Sequence, residues 1–203
     1  MNLTIGSGDV NSLLSDKKSK SYQNLWRKFI GEKPFYNALS SPIDALRTGS
    51  ILEDRYIQIL PDDFYPQVKV QHEKLDVLVA TLDFAKFDAG KVVDFEETKT
   101  IFFPDFAEKI MPLIEFSDEE KNKLIKQKFK NYYNQVQFQL LCSNLESATL
   151  TFISVYSYED EDNYHRDIIP EDVIKFRMHR DESVINEIID RAKLFQLVKN
   201  DLI

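Results

Sequence analysis

The sequence predicts a mixed α/β domain, a central sheet of parallel and antiparallel strands flanked by helices. Three observations carry this. Helical and strand periodicities alternate along the chain as α–β–β–α–β–β–α, the order expected of one mixed sheet with helices packed on it. Hydrophobic residues make up 43% and charged residues 30%, ordinary values for a globular protein. A chain of 203 residues is long enough to bury a core and suits one domain over 1–203. Within it we expect a helical part at about 1–60 and the sheet with its helices at about 65–203.

Residues 8–30 read as helical, with Leu13, Leu14, Leu25, Trp26 and Phe29 as the apolar positions. After Pro34 and Pro42, SPIDALRTGSILEDRYIQIL places Leu46, Ile51, Leu52 and Tyr56 at helical spacing. The run 68–87 reads as a strand, Asp88-Ala89-Gly90 as a turn, and KVVDFEETKTIFF as the returning strand of a hairpin. SDEEKNKLIKQKFKNYYNQVQFQLLCSN reads as one long helix whose start is marked by a Ser117/Glu120 capping box. Strands are expected at 148–157 and 174–180, the acidic YEDEDN (158–163) as an exposed loop, and DESVINEIIDRAKLFQLVKNDL as a closing helix.

Composition excludes several classes. No apolar run approaches the roughly 18–20 residues that span a bilayer. MNLTIGSGDVNSLL has no basic region followed by an apolar stretch, so no signal peptide is expected and the default setting is cytoplasmic. Cys142 is the only cysteine, which rules out an intrachain disulfide, a four-cysteine zinc site and a cysteine-ligated iron–sulfur cluster. His72, His165 and His179 lack ligand spacing, and GSGDVNS lacks the Gly-Lys-Ser/Thr of a phosphate-binding loop. A net charge of −8 argues against a protein that coats nucleic acid nonspecifically. Two local basic tracks, 16–29 and 119–130, are nevertheless present, and binding needs a local track rather than a basic total.

The informative stretch is VVDFEETKTIFF (92–103), three acids, a lysine and two threonines in a strand. Alternation puts Val93, Phe95, Glu97, Lys99 and Ile101 on one face and Asp94, Glu96, Thr98 and Thr100 on the other. Glu97 and Lys99 thus share an apolar face, and Glu96 is expected to look outward with Asp94. Burying that pair costs several kcal/mol unless each charge has a strong partner. A divalent metal is such a partner for the carboxylate; an ion pair is the plainer alternative. The same spelling at Glu119-Glu120-Lys121 falls in the first turn of a helix, where dipole and cap explain it. Asp83 precedes Glu97 by one hairpin, and the two carboxylates, the Thr98 carbonyl and waters would suffice for a hard cation. Asp76 and Asp88 are competing choices. Glu53 sits four residues after Gly49 on the second helix. In the long helix Tyr132, Gln135 and Gln139 fall within about 60° of one another, a cleft lining beside a core stripe of Phe129, Tyr133, Val136 and Leu140.

Taken in order, Gly-x-x-x-Glu, Asp, Glu-x-Lys and a glutamine-rich helix resemble the PD-(D/E)xK nuclease superfamily, which has a restriction-endonuclease-like core. More narrowly the chain is similar to the phage lambda-type alkaline exonucleases, the YqaJ-type viral recombinase family, over nearly its whole length. LTIGSGDVNSLL resembles that family's opening turn, TGSILEDRY its first acidic motif, VLVATLDF its central aspartate and FEETKT its Glu-x-Lys. YYNQVQFQLLCSN is similar to its tyrosine/glutamine helix and IKFRMHRDESVINEIIDRAKLF to its C-terminal strand, Arg-Asp turn and helix. The resemblance implies metal binding by Asp83, Glu97 and the Thr98 carbonyl, with Glu53 acting directly or through water, Lys99 as the catalytic lysine and Gln135 lining the site. It implies Mg²⁺, with Mn²⁺ able to substitute, and a nuclease that digests one strand of duplex DNA from an end. A ring-shaped homo-oligomer, as in the family a trimer, and a single-strand annealing recombinase as partner are further implications. The alternatives are an endonuclease or junction resolvase on the same core, or a catalytically idle DNA-end-binding recombination subunit. Two departures stand out: Gly8 where a serine is common, and Leu82-Asp83-Phe84 for the usual Pro-Asp-Gly. The family's Trp and 5′-phosphate-holding Arg ahead of the opening turn have no counterpart in Met1-Asn2, leaving Lys17, Lys18, Lys20 or Arg27 as candidates for that role.

Overall fold

A computed structural model of the chain describes residues 3–33, 43–156 and 167–202. The acidic loop at 158–163, His165 and the two prolines ahead of the second predicted helix lie outside the described residues. Among those described, one six-stranded mixed sheet is flanked by helices on both faces. The chain enters through β1 (Ile5–Gly6), α1 (Val10–Leu13), α2 (Lys20–Phe29) and α3 (Ile43–Tyr56). It continues through β2 (Phe64–Gln71), β3 (Leu78–Asp88), β4 (Lys91–Phe102), a short α4 (Phe103–Asp105), α5 (Asp118–Lys128) and α6 (Lys130–Ser143). The last elements are β5 (Ser147–Val155), β6 (Val173–His179) and α7 (Glu182–Leu202).

The predicted hairpin is present: β3 and β4 pair antiparallel around Asp88-Ala89-Gly90. Ala89 and Gly90 both adopt positive φ (47° and 77°), the backbone a tight two-residue hairpin turn requires. The Ser117/Glu120 capping box also forms, and it accounts for the acids at the start of α5. Differences are local. The expected strand at 68–87 is two strands, because His72 Nδ1 accepts the backbone N–H of Lys74 and Leu75 and closes a turn between β2 and β3. The helix expected over 8–30 is interrupted and restarts where Ser19 caps α2. The single long helix is broken at Phe129 (φ −128°, ψ 44°), whose ring packs on Tyr132 and Phe152, so tertiary packing overrides helix propensity there.

β4 is the hub. Its first half pairs antiparallel with β3, and its second half pairs parallel with β5 from Glu96↔Thr149 to Phe102↔Val155. The β3–β4 ladder stops at Phe84↔Glu96. Beyond that point β1 pairs parallel with Leu78 and Val79, on the edge of β3 opposite β2. The two central strands therefore part like a fork, and Asp83 and Glu97 are the first residues past the split.

A core of Phe95, Leu150, Phe152, Val136, Phe138 and Leu140 packs α6 onto one face of the sheet. On the other face Leu52 and Tyr56 of α3 join Phe84, Ile153 and Val155. Helix α3 and helix α6 thus address opposite faces of β4, and the site lies where both reach the fork.

Candidate active site

Asp83 does not continue the ladder. Its Oδ2 accepts the Thr98 backbone N–H at 2.8 Å and the Thr98 hydroxyl at 3.0 Å, which ties β3 to β4 across the fork. Its other oxygen, Oδ1, accepts no hydrogen bond among the described residues and is left for another partner. Glu97, wholly buried, receives the Lys99 ammonium and the Gln135 amide on Oε1 and the Gln139 amide on Oε2. Lys99 Nζ also lies 5.7 Å from the centre of the Tyr132 ring, close enough for a cation–π contact. Glu53 completes the group from α3, near enough to both Asp83 and Lys99 to feel their charges.

Electrostatics separates these residues from an ordinary ion pair. Burial first, and then the Asp83 charge, push the Glu53 carboxyl up to about 7. The Glu97 carboxyl is likewise raised, by burial and by Asp83 against the opposing pull of Lys99. Burial alone would lower the Lys99 ammonium, but Glu97, Asp83 and Glu53 together hold it above the usual lysine value. When ionised, three carboxylates face one ammonium, so two negative charges are uncovered.

That donor set fits a hard divalent cation, which selects carboxylate, carbonyl and water oxygens. Gln139 Oε1 is buried and has no hydrogen-bond partner among the described residues, an unused acceptor on a side chain that bonds Glu97. Among the described residues no three acids, histidines or cysteines are grouped closely enough to hold a metal ion, so the fit rests on Asp83, Glu97 and the Thr98 carbonyl with waters. Glu97 is engaged by Lys99, Gln135 and Gln139. Asp76 and Asp88 are not in the group. Asp76 is exposed and bound to Lys199 and Gln196, and Asp88 ends β3 in solvent at the hairpin turn.

The expected exposure of Asp94 and Glu96 is corrected. Glu96 is buried on the reverse face of β4, bonded to the Tyr56 hydroxyl (2.7 Å), the Thr151 hydroxyl (2.9 Å) and Lys175 Nζ (3.0 Å). Asp94 is half-buried and paired with Arg177 at 2.8 Å. Alternation assigned the faces correctly; what it could not reveal is that α3 covers the second face and that α3, β5 and β6 supply partners there. Gln139 was foreseen only as a lining residue, yet it holds Glu97 directly; its place one helical turn after Gln135 was the available signal.

Of the basic tracks, Lys128 and Lys130 line a cleft of about 350 Å³ that reaches Tyr132. Lys17, Lys18 and Lys20 are exposed at the start of α2, whereas Arg27 bonds the Lys33 carbonyl and Glu32. A larger cavity of 560 Å³, lined by His72, Cys142 and Arg180 among others, contains none of the site residues.

No family model matches the sequence, and no curated protein does. Solved structures do match. An alkaline exonuclease (LHK-Exo) from Laribacter hongkongensis, in complex with dAMP, aligns with TM-score 0.59 and 20% identity over 98% of this chain and 89% of its own. A phage-related exonuclease from Haemophilus somnus 129PT aligns with TM-score 0.57 and 14% identity, over 98% and 96% of the two chains. The chain therefore shares the fold of these exonucleases, the fold that the sequence motifs led us to expect.

Proposed function

We propose that the protein is a metal-dependent deoxyribonuclease whose reaction centre is Glu53, Asp83, Glu97 and Lys99. The observation that carries this reading is the gathering of Asp83, Glu97 and Glu53 around one ammonium at the fork, which when all three are ionised leaves two negative charges, a divalent cation's worth, among oxygen donors of the right kind. The fold held in common with exonucleases supports it.

Mg²⁺, or Mn²⁺ in its place, would be held by Asp83 and Glu97, with the Thr98 carbonyl and with Glu53 directly or through water. It would supply Lewis acidity toward the scissile phosphate and lower the pKa of a water. The chain's own groups do the rest. Lys99, kept charged by its carboxylate neighbours, donates hydrogen bonds to the attacking water or to a non-bridging phosphate oxygen where negative charge develops. Gln135 and Gln139 fix the rotamer of Glu97. In the reaction a water gives up one proton to solvent as its oxygen bonds to phosphorus, the P–O ester bond on the far side breaks, and the departing oxygen takes up a proton from solvent. Lys128 and Lys130, beside Tyr132, are placed to meet backbone phosphates.

The preferred substrate is one strand of linear duplex DNA, attacked from an end and feeding single-strand annealing, with a ring-shaped homo-oligomer giving processivity. End-labelled linear duplex and covalently closed circular duplex, each incubated with Mg²⁺ and with chelator, decide the matter. Loss of label from linear DNA alone is the expected result; nicked circles would make it an endonuclease, and intact DNA in both Mg²⁺ and Mn²⁺ would end the nuclease reading.

A further inference from the structure

The reverse face of β4 carries a buried polar group that the reaction scheme does not use. Glu96, 6% exposed, accepts from the hydroxyls of Tyr56 and Thr151 and from Lys175, while Lys175 Nζ lies 5.4 Å from the centre of the Tyr56 ring. Stability alone does not call for this arrangement. Tyr56 is fully buried and already packs edge-on against Phe84 with ring centres 5.6 Å apart, so a phenylalanine would fill the same space. Buried charged networks are commonly matched or bettered in stability by apolar side chains of the same size. What apolar packing cannot supply is direction, because burial is indifferent to a small slide or rotation of a helix.

Direction is what the site needs from α3. Glu53 is the only member of the reaction centre on that helix, and it lies three residues, about 4.5 Å of helix rise, before Tyr56. Glu96 is the strand neighbour of Glu97. The Tyr56–Glu96 bond therefore joins the helix of one site acid to the strand of another, one helical turn from Glu53 and one residue from Glu97. Nearby, α3 runs close to β4: a Cβ at Gly49 would sit 3.8 Å from the Thr100 hydroxyl. At Gly49 no side chain interlocks the two elements, and the apolar packing of Leu52 and Tyr56 further along is non-directional, so a directional bond is what fixes the helix in register.

We infer that Tyr56, held by Glu96 with Thr151 and Lys175, is a positioning residue that sets where Glu53 stands beside Asp83 and Lys99, and so sets the affinity of the site for a divalent cation. This rests on the metal-dependent reading above and extends it to residues that touch neither substrate nor ion.

The test is Mn²⁺ binding by isothermal titration to the intact protein, beside thermal unfolding, for wild type, Tyr56→Phe, Glu96→Gln and Glu96→Leu. Tyr56→Phe should weaken Mn²⁺ binding about 10-fold while the melting temperature stays within a few degrees. Glu96→Gln keeps an acceptor oxygen for Tyr56 and should bind more tightly than Glu96→Leu. A Tyr56→Phe protein that melts lower but binds Mn²⁺ like wild type would show packing only and overturn the positioning role. If Glu96→Leu fails to fold, the Tyr56→Phe and Glu96→Gln titrations still decide. A wild type that binds no Mn²⁺ removes the metal reading and this inference together, whereas equal binding by all folded forms removes the inference alone.

Discussion

The two faces of β4 each hold a buried glutamate with a lysine at its carboxylate, one residue apart in sequence, and they are different devices. On the α3 face Asp94 and Glu96 meet Arg177 and Lys175, two charges against two, with hydroxyls filling the remaining lone pairs. On the α6 face Glu97 meets Lys99, but Asp83 and Glu53, when ionised, add negative charge that no second cation among the described residues pairs. The first face is closed: every partner it requires is built in. The second is left open by two charges when its acids are ionised, and burial first, with the Asp83 charge added, pushes the Glu53 and Glu97 carboxyls upward. A Glu–Lys pair is therefore no evidence of chemistry by itself. The difference lies in whether the surrounding charges sum to zero.

The sharpest way to break that contrast is to delete the lysine from each face. Lys99→Ala should lower cleavage of linear DNA by about 100- to 1,000-fold, the usual loss when a donor to developing charge is removed. Lys175→Ala, which leaves Glu96 its two hydroxyl partners, should change cleavage by less than about 10-fold and register mainly in urea unfolding, by about 1 kcal/mol. Comparable activity losses in the two proteins would erase the distinction. Next in size is Gln139→Leu. Glu97 loses the donor to its Oε2, and the orphaned Gln139 Oε1 disappears with it, so Mn²⁺ affinity should fall about 10-fold or more in a titration of the folded protein. Unchanged affinity would assign Gln139 to packing.

Much of this was legible in the sequence because strand alternation and helix periodicity are short-range rules. Glu97 with Lys99, the hairpin that returns Asp83 and the amide face of α6 all follow from spacings of two, three or four residues. What spacing does not contain is how far two paired strands stay together. The fork between β3 and β4 exists because Asp83 takes the Thr98 N–H in place of a ladder bond, a choice made between residues 15 positions apart. For the same reason Glu96 looked like a solvent-facing acid: its partners come from α3, β5 and β6, 40, 55 and 79 positions away. The break at Phe129 and the turn at His72 were missed because side chains, one packing on Phe152 and one bonding backbone N–H groups, overrode a periodic pattern.

A third carboxylate sharpens the comparison at its structural end. Asp181 precedes α7; its Oδ1 accepts the backbone N–H of Ser183 (3.0 Å) and Val184 (3.4 Å) and the Ser183 hydroxyl, and its Oδ2 takes Lys126 at 2.6 Å and the Tyr133 hydroxyl at 3.0 Å. Burial would raise its carboxyl, but those donors outweigh it and hold it well below the usual carboxylate range, the reverse of Glu97. A carboxyl depressed by folding contributes stability that is fully present above its unfolded value, about 3.9, and is lost as pH falls toward its folded value. Asp181→Ala, which removes the helix cap, should therefore cost about 1 kcal/mol in urea unfolding at pH 7. The gap between wild type and variant should narrow steadily below about pH 4. Cleavage by Asp181→Ala should match wild type at temperatures where both are folded, because no residue of the reaction centre bonds Asp181. A variant that folds well and cuts poorly would mean that α7 and the end of α6 reach the site through Tyr133, and the division between a closed structural carboxylate and an open reactive one would have to be redrawn.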